Sequence, residues 1–189
     1  MTINYSQTKL HWNYFLTLER DFETVARFIE PCEANNNVFS MELARLIMAA
    51  TQEVDVVLKL LCRLVVPQST ADRVNAYHSV IVSKVPDLIH EEIRTPRYGM
   101  SSRPWIGWSE QNPPQWWTAN NKIKHQRSQF YHQATLSHAF NALGGLLVTI
   151  AYYYNRLKSN GQYETDWRDV TETLSPSSTI FYLNEKYYH

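Results

Sequence analysis

Within twelve residues, from Trp116 to Arg127, the chain places two Trp, two Asn, two Lys, one His and one Arg. Unpaired cations, a titratable imidazole and large aromatic rings are costly to bury together without partners. The cluster is therefore either an exposed working surface or a tightly hydrogen-bonded structural node. His125 is the candidate acid–base group, because imidazole changes charge near neutral pH. Asn121 is suited to orient that imidazole or a hydroxyl, and Lys122, Lys124 and Arg127 to hold a phosphate. Metal-free cleavage at a ribose phosphodiester needs this combination. One group activates the 2′-hydroxyl, another protonates the leaving oxygen, and cations stabilise the charged phosphorane. The alternative is that His125 and Asn121 hydrogen-bond around a helix junction and do no chemistry.

Charge is concentrated in the same region. Between Arg94 and Arg127 stand six basic residues, Arg94, Arg97, Arg103, Lys122, Lys124 and Arg127, opposed by Glu110 alone. The segment is at +5 and the rest of the chain at −5, for a formal net charge of zero. Tyr98, Trp105, Trp108, Trp116 and Trp117 lie in it too. Cations neutralise phosphates and aromatic faces stack unpaired bases. Lys124, Arg127, Arg103, Trp116 and Trp117 are thus the candidate RNA contacts. In the competing reading the Trp residues pin a long loop onto the protein and the cations are merely solvated.

Metal and cofactor chemistry finds no support in the residues. His125, His132 and His138 are spaced seven and six apart. Two helical turns, about 10.5 Å, would separate the first pair, too far for one ion on a straight helix. No GxGxxG, P-loop, GxSxG or HExxH occurs. No metal and no cofactor is expected.

Helices must position these groups. A first helix is predicted over residues 8–30, with Leu10, Tyr14, Leu18, Phe22, Val25 and Ile29 on one face. A second is predicted from an N-cap at Ser40 to Pro67, with Leu43, Ile47, Ala50, Val54, Val57, Leu58, Leu61 and Val65 as its stripe. A third covers 70–83, opened by Ser69 or Thr70, and a short helix covers 87–93. Residues 94–112 read as a long irregular loop, a length often functional. Pro113 is the expected first residue of the helix carrying Trp116 and Trp117. The last long helix is predicted over 128–158, with Leu136, Ala139, Phe140, Leu143, Leu146, Leu147, Ile150 and Tyr154 inward. Gly144-Gly145 costs about 1 kcal/mol per Gly there, which points to close approach by another helix, in the chain or across a dimer. Asn160-Gly161 ends it. In the tail, 179–183 has strand propensity.

The expected architecture is all-α: a four- to five-helix up-and-down bundle over 1–160, with a long Trp-rich loop. A short C-terminal extension, 161–189, packs on the bundle or a dimer partner. With 189 residues and 44% apolar content, one domain with a real core is expected. Cys32 and Cys62 form no CxxC and suit free thiols in a reducing compartment. Residues 1–15 lack the apolar run of a signal peptide. The most apolar stretch, 142–154, is shorter than the roughly 20 residues a bilayer needs. The expectation is a cytoplasmic protein without membrane association.

One family shares this pattern. Trp116-Trp117-x-x-Asn120-Asn121-Lys122-Ile123-Lys124-His125-x-Arg127, with Phe130 and the helix over 134–153, resembles the HEPN superfamily (higher eukaryotes and prokaryotes nucleotide-binding). Bacterial members of the Trp-Trp–Asn–Lys-His type are the most similar. The resemblance covers residues 113–155 firmly, 8–66 weakly and the tail not at all. It implies a helical bundle that homodimerises around the motif, and roles in bacterial defence and toxin–antitoxin systems. Active members are metal-independent endoribonucleases with Arg, four to six residues, then His. Here His125 fits the His, whereas Thr118, Ala119 and Asn120 occupy the places where Arg would stand. Asn121 matches the polar residue after that Arg, and Lys122 or Arg127 would supply the cation. The resemblance also allows a non-catalytic helical dimer that binds RNA or an antitoxin protein.

Overall fold

The computed structural model describes residues 8–161 and 166–183. The parts of the N-terminal and tail readings that fall on 1–7, 162–165 and 184–189 lie outside them. The protein is an all-α bundle with one small sheet. Helix α1 spans Leu10–Ala26, α2 Met41–Val65, α3 Val74–Lys84, α4 Gln115–Phe130, α5 Leu136–Lys158 and α6 Trp167–Thr173. Strands β1 (Ile93–Thr95), β2 (Met100–Ser102) and β3 (Tyr182–Leu183) form an antiparallel sheet in the order β2-β1-β3.

Helix α2 follows its sequence pattern. The Leu43 N–H donates to Ser40 Oγ at 3.2 Å, so Ser40 is the cap. Leu43, Ile47, Ala50, Val54, Val57, Leu58 and Leu61 are fully buried, while Val65 at the end is half-buried. Their main partner is α5, whose own stripe from Leu136 to Ile150 is likewise buried. Each buried Val, Leu or Ile side chain among them contributes about 1.5–3 kcal/mol on leaving water. Asn160 at φ +53° and Gly161 at φ +81° turn the chain away after α5.

Several boundaries differ from the expectation, each for a local reason. Helix α1 ends at Ala26, not near residue 30; Leu18, Phe22 and Val25 of the expected face are buried, and the buried set widens to Trp12, Phe15, Leu16 and Glu19. Leu10 and Tyr14 are exposed. The set widens because the C-terminal segment covers that side: Phe181 packs on Phe15 at 6.2 Å and on Phe22 at 5.3 Å. Helix α3 starts at Val74, with no side-chain cap from Ser69 or Thr70. The short helix placed at 87–93 is a 3-10 turn, Pro86–His90, followed by β1. The loop read as irregular contains the β1–β2 hairpin. Pro113 is not helical; Pro114 precedes the first residue of α4.

The helix placed over 128–158 is two helices. Helix α4 kinks at Gln126 (φ −140°, ψ 45°), and a 3-10 turn, Tyr131–Gln133, follows it. The break comes from competing backbone pairing. Ser40 N–H donates to Ala134 O, Leu136 N–H to Val38 O and Ser137 N–H to Asn36 O. These bonds pull residues 134–137 onto the segment before α2, and Thr135 then caps α5 by accepting from the His138 N–H at 3.3 Å.

The glycine pair does mark a close approach, within the chain. A Cβ on Gly145 would stand 2.8 Å from Trp116 Cζ2 of α4, and one on Gly144 2.7 Å from Ile93 Cγ1 of β1. Both glycines are buried inside the protomer.

Candidate functional site

Helix α4 presents Trp117, Asn120, Asn121 and Lys124 at spacings of three, one and three, which is one helix face. Helix α2 presents Met48, Thr51, Gln52 and Asp55 with the same spacing. The two faces line one groove of about 530 Å³. It cuts a polar trench into a bundle whose flanking positions, Ile47, Val54 and Ile123, are all buried apolar residues.

The polar groups of this groove differ in how well they are satisfied. Asp55 is held: the Tyr77 hydroxyl donates to its Oδ1 at 3.0 Å, and Lys59 Nζ stands 3.7 Å from Oδ2. Burial raises the Tyr77 phenol well above its ordinary range, and the Asp55 charge adds to this, so the donor stays protonated. The Thr51 hydroxyl donates back to Ile47 O at 2.7 Å and offers the groove only lone pairs. Asn120 is only 8% exposed, yet its carboxamide bonds to no described residue. Its polar atoms are not sealed within the core and open to the groove. The indole N–H of Trp117 is also without a described acceptor. A second groove of about 400 Å³, with Tyr14, Met41, Arg45 and Arg127, adjoins the first through Met48 and Gln52.

The structure distributes the sequence-derived candidates unevenly. Asn121 and Lys124 line the first groove and Arg127 the second, where its Nη2 lies 3.3 Å from Met48 Sδ. Neither cation meets a carboxylate among the described residues. Lys122 points elsewhere, with Nζ 5.1 Å from the centre of the Phe130 ring. His125 is exposed and shares the outer side of α4 with Asn121, one turn away, but no hydrogen bond joins them. Among the described residues, therefore, none orients the imidazole.

Trp116 is 2% exposed and sits in the core, so it offers no ring face for a base to stack on, and Trp117, at 7%, shows the groove only a small part of its ring. Trp116 donates its indole N–H to Pro104 O at 2.7 Å and packs on Trp105, which packs on Trp108. This indole row pins the 94–112 segment to the bundle, as the packing reading had it. Arg103 lies on the other side of α4, in a separate pocket of about 250 Å³ with Gln115, Ser137 and His138.

Sequence reasoning missed the α2 half of the groove and the burial of Asn120. A signal was present: Thr51, Gln52 and Asp55 interrupt an otherwise apolar helix at one-face spacing. Among the described residues no group of three or more His, Cys, Asp or Glu could hold a metal ion, and no helix is long and apolar enough to cross a membrane. No family model, curated protein or solved structure matches the chain.

Proposed function

We propose that this chain is an HEPN-like, RNA-engaging protein of bacterial defence, toxin–antitoxin or stress response, acting in the cytoplasm as a homodimer. The reading rests on the resemblance of residues 113–155 and on one structural observation. The α2–α4 groove and its neighbour line up two cations that meet no carboxylate among the described residues, Lys124 and Arg127, with the carboxamides of Gln52, Asn120 and Asn121, while Asp55 and Glu42 line one groove each. Cations hold phosphates and carboxamides bond to base edges, so the pair of grooves suits a single-stranded segment.

Metal-independent ribonuclease activity would use His125 as the acid–base group, with Asn121 and Lys122 in support. His125 has no orienting partner among the described residues, so catalysis would need the second copy to complete the site. The competing function is a non-catalytic helical dimer that docks a protein such as an antitoxin. It is favoured by Phe39 and Met41, apolar side chains about half exposed beside the Arg127 groove.

RNA binding and cleavage in EDTA across a salt series, with His125→Ala and Lys124→Ala variants beside the parent protein, tests this reading. Binding should weaken with salt, with a log–log slope of about 0.7 per phosphate contact for single strands. Lys124→Ala should reduce that slope by about one contact's worth. Cleavage lost in His125→Ala would establish the nuclease, and salt-sensitive binding without cleavage an RNA-binding role. If no RNA binds at any salt, the RNA reading fails and the docking function stands in its place.

A further inference from the structure

The pocket on the far side of α4 has its own chemistry, independent of the RNA reading. It lies between the end of β2, the first turn of α4 and the first turn of α5, with a volume of about 250 Å³. No Asp or Glu lines it. Arg103, exposed at its rim, meets no carboxylate among the described residues. Gln115 and the Ser137 hydroxyl also lack described hydrogen-bond partners. His138 is fixed: its Nδ1 lies 2.8 Å from Gln133 O. A carbonyl oxygen can only accept, so Nδ1 carries the proton and Nε2 is the edge the ring can offer to a ligand. Ser137 and His138 sit in the first turn of α5, whose backbone N–H groups are already taken by Val38 O, Asn36 O and Thr135 Oγ1, so only side chains are left there to bind an anion.

We propose that this pocket binds a phosphate group. The Arg103 guanidinium would take two phosphate oxygens in its planar fork. The Gln115 amide and Ser137 hydroxyl would donate to the others. His138 Nε2 would accept the P–OH proton of a monoprotonated phosphate, or donate when the ring is itself protonated. A monoprotonated phosphate has both acceptor oxygens for the three donors and a P–OH for His138 Nε2, whereas a carboxylate can accept from the donors but has no proton to give. The source is either a free small phosphate compound or the terminal phosphate of a nucleic acid.

The test uses the full chain, titrated with inorganic phosphate and followed by NMR of arginine Nε–H, glutamine amide and histidine ring signals. Millimolar phosphate should shift the Arg103, Gln115 and His138 signals together. Arg103→Ala should weaken binding at least tenfold with an unchanged melting temperature, since this side chain is exposed. Arg103→Lys should recover little, because a point charge lacks the fork. Short RNAs with a 5′-phosphate or a 5′-hydroxyl identify the source. A tenfold preference for the phosphorylated end indicates a nucleic-acid terminus, and no preference alongside phosphate binding indicates a small molecule. Unchanged phosphate binding in Arg103→Ala, or shifts centred on Lys124 and Arg127 instead, would overturn the proposal.

Discussion

Two buried polar sites in this molecule are built to opposite rules. At the first, the Glu19 carboxylate on α1 is 3% exposed and fully occupied. It accepts from the Ser178 hydroxyl and from the backbone N–H groups of Thr179, Ile180 and Phe181 at 3.2, 3.0 and 3.1 Å. At the second, Asn120 is nearly as buried and has no described partner. The Asn120 carboxamide opens to the groove, where water or a ligand can reach it, so the two differ in what they do. Glu19 fastens the C-terminal segment to α1 so that β3 can reach β1. Asn120 meets no partner among the described residues and keeps its hydrogen-bonding capacity for the groove.

The comparison breaks first at Glu19. Glu19→Ala removes a shared acceptor and strands several donors under Phe181. The expected loss is about 3–5 kcal/mol, comparable to breaking a buried ionic network, read by urea unfolding. Glu19→Gln keeps one acceptor oxygen and should lose less. A loss below about 1 kcal/mol for the alanine variant would mean that the carboxylate is not what fastens the segment.

The indole row gives the next largest effect. Gly145 lies against a Trp116 ring already held by its bond to Pro104 O, so the ring cannot simply swing away. Gly145→Val should overpack this contact and cost about 1–3 kcal/mol in thermal or urea unfolding. If Trp116 served as a mobile stacking platform, the substitution would be well tolerated.

A third kind of buried group is excluded from water without serving either role. Burial pushes the Cys62 thiol up to about 12, from an ordinary value near 9. Its folded-state value is raised, so its contribution to stability is complete below the unfolded value. That contribution is lost as pH climbs from there toward the folded value. Unfolding free energy should therefore fall between pH 9 and 12, by at most about 1.4 kcal/mol per pH unit from this group. Cys62→Ala should flatten the slope, and a thiol reagent at neutral pH should label half-buried Cys32 while sparing Cys62.

These contrasts explain how much the sequence could disclose. The α2 and α5 stripes were legible because period and burial coincide there. The split between α4 and α5 was not, since the bonds from Ser40, Leu136 and Ser137 that cause it join residues distant in sequence. The β1–β2 hairpin was hidden because each strand is only three residues long, too short for a periodic signal, and β3, which also pairs with β1, comes from the tail. At the site, the polar richness of 116–127 was visible, and so was the choice between core and surface. Which side each group takes depends on α2 and on the 94–112 segment packed against α4. Trp116 therefore turned out to be core, and Asn120 the buried polar group.

The sharpest test is the one with the smallest effect on stability. In Asn120→Leu the groove loses a carboxamide that no protein group needs, and a side chain of similar volume remains. Folding stability should stay within about 0.5 kcal/mol of the parent, because the carboxamide opens to the groove and bonds to no described residue. RNA affinity should fall by about tenfold, equivalent to roughly 1.4 kcal/mol, the scale of one lost hydrogen bond to a ligand. The opposite pattern, with destabilisation by more than about 1 kcal/mol and unaltered affinity, would place Asn120 with Glu19. It would then hold the fold through a bound water, and the groove would lose its strongest claim to a ligand.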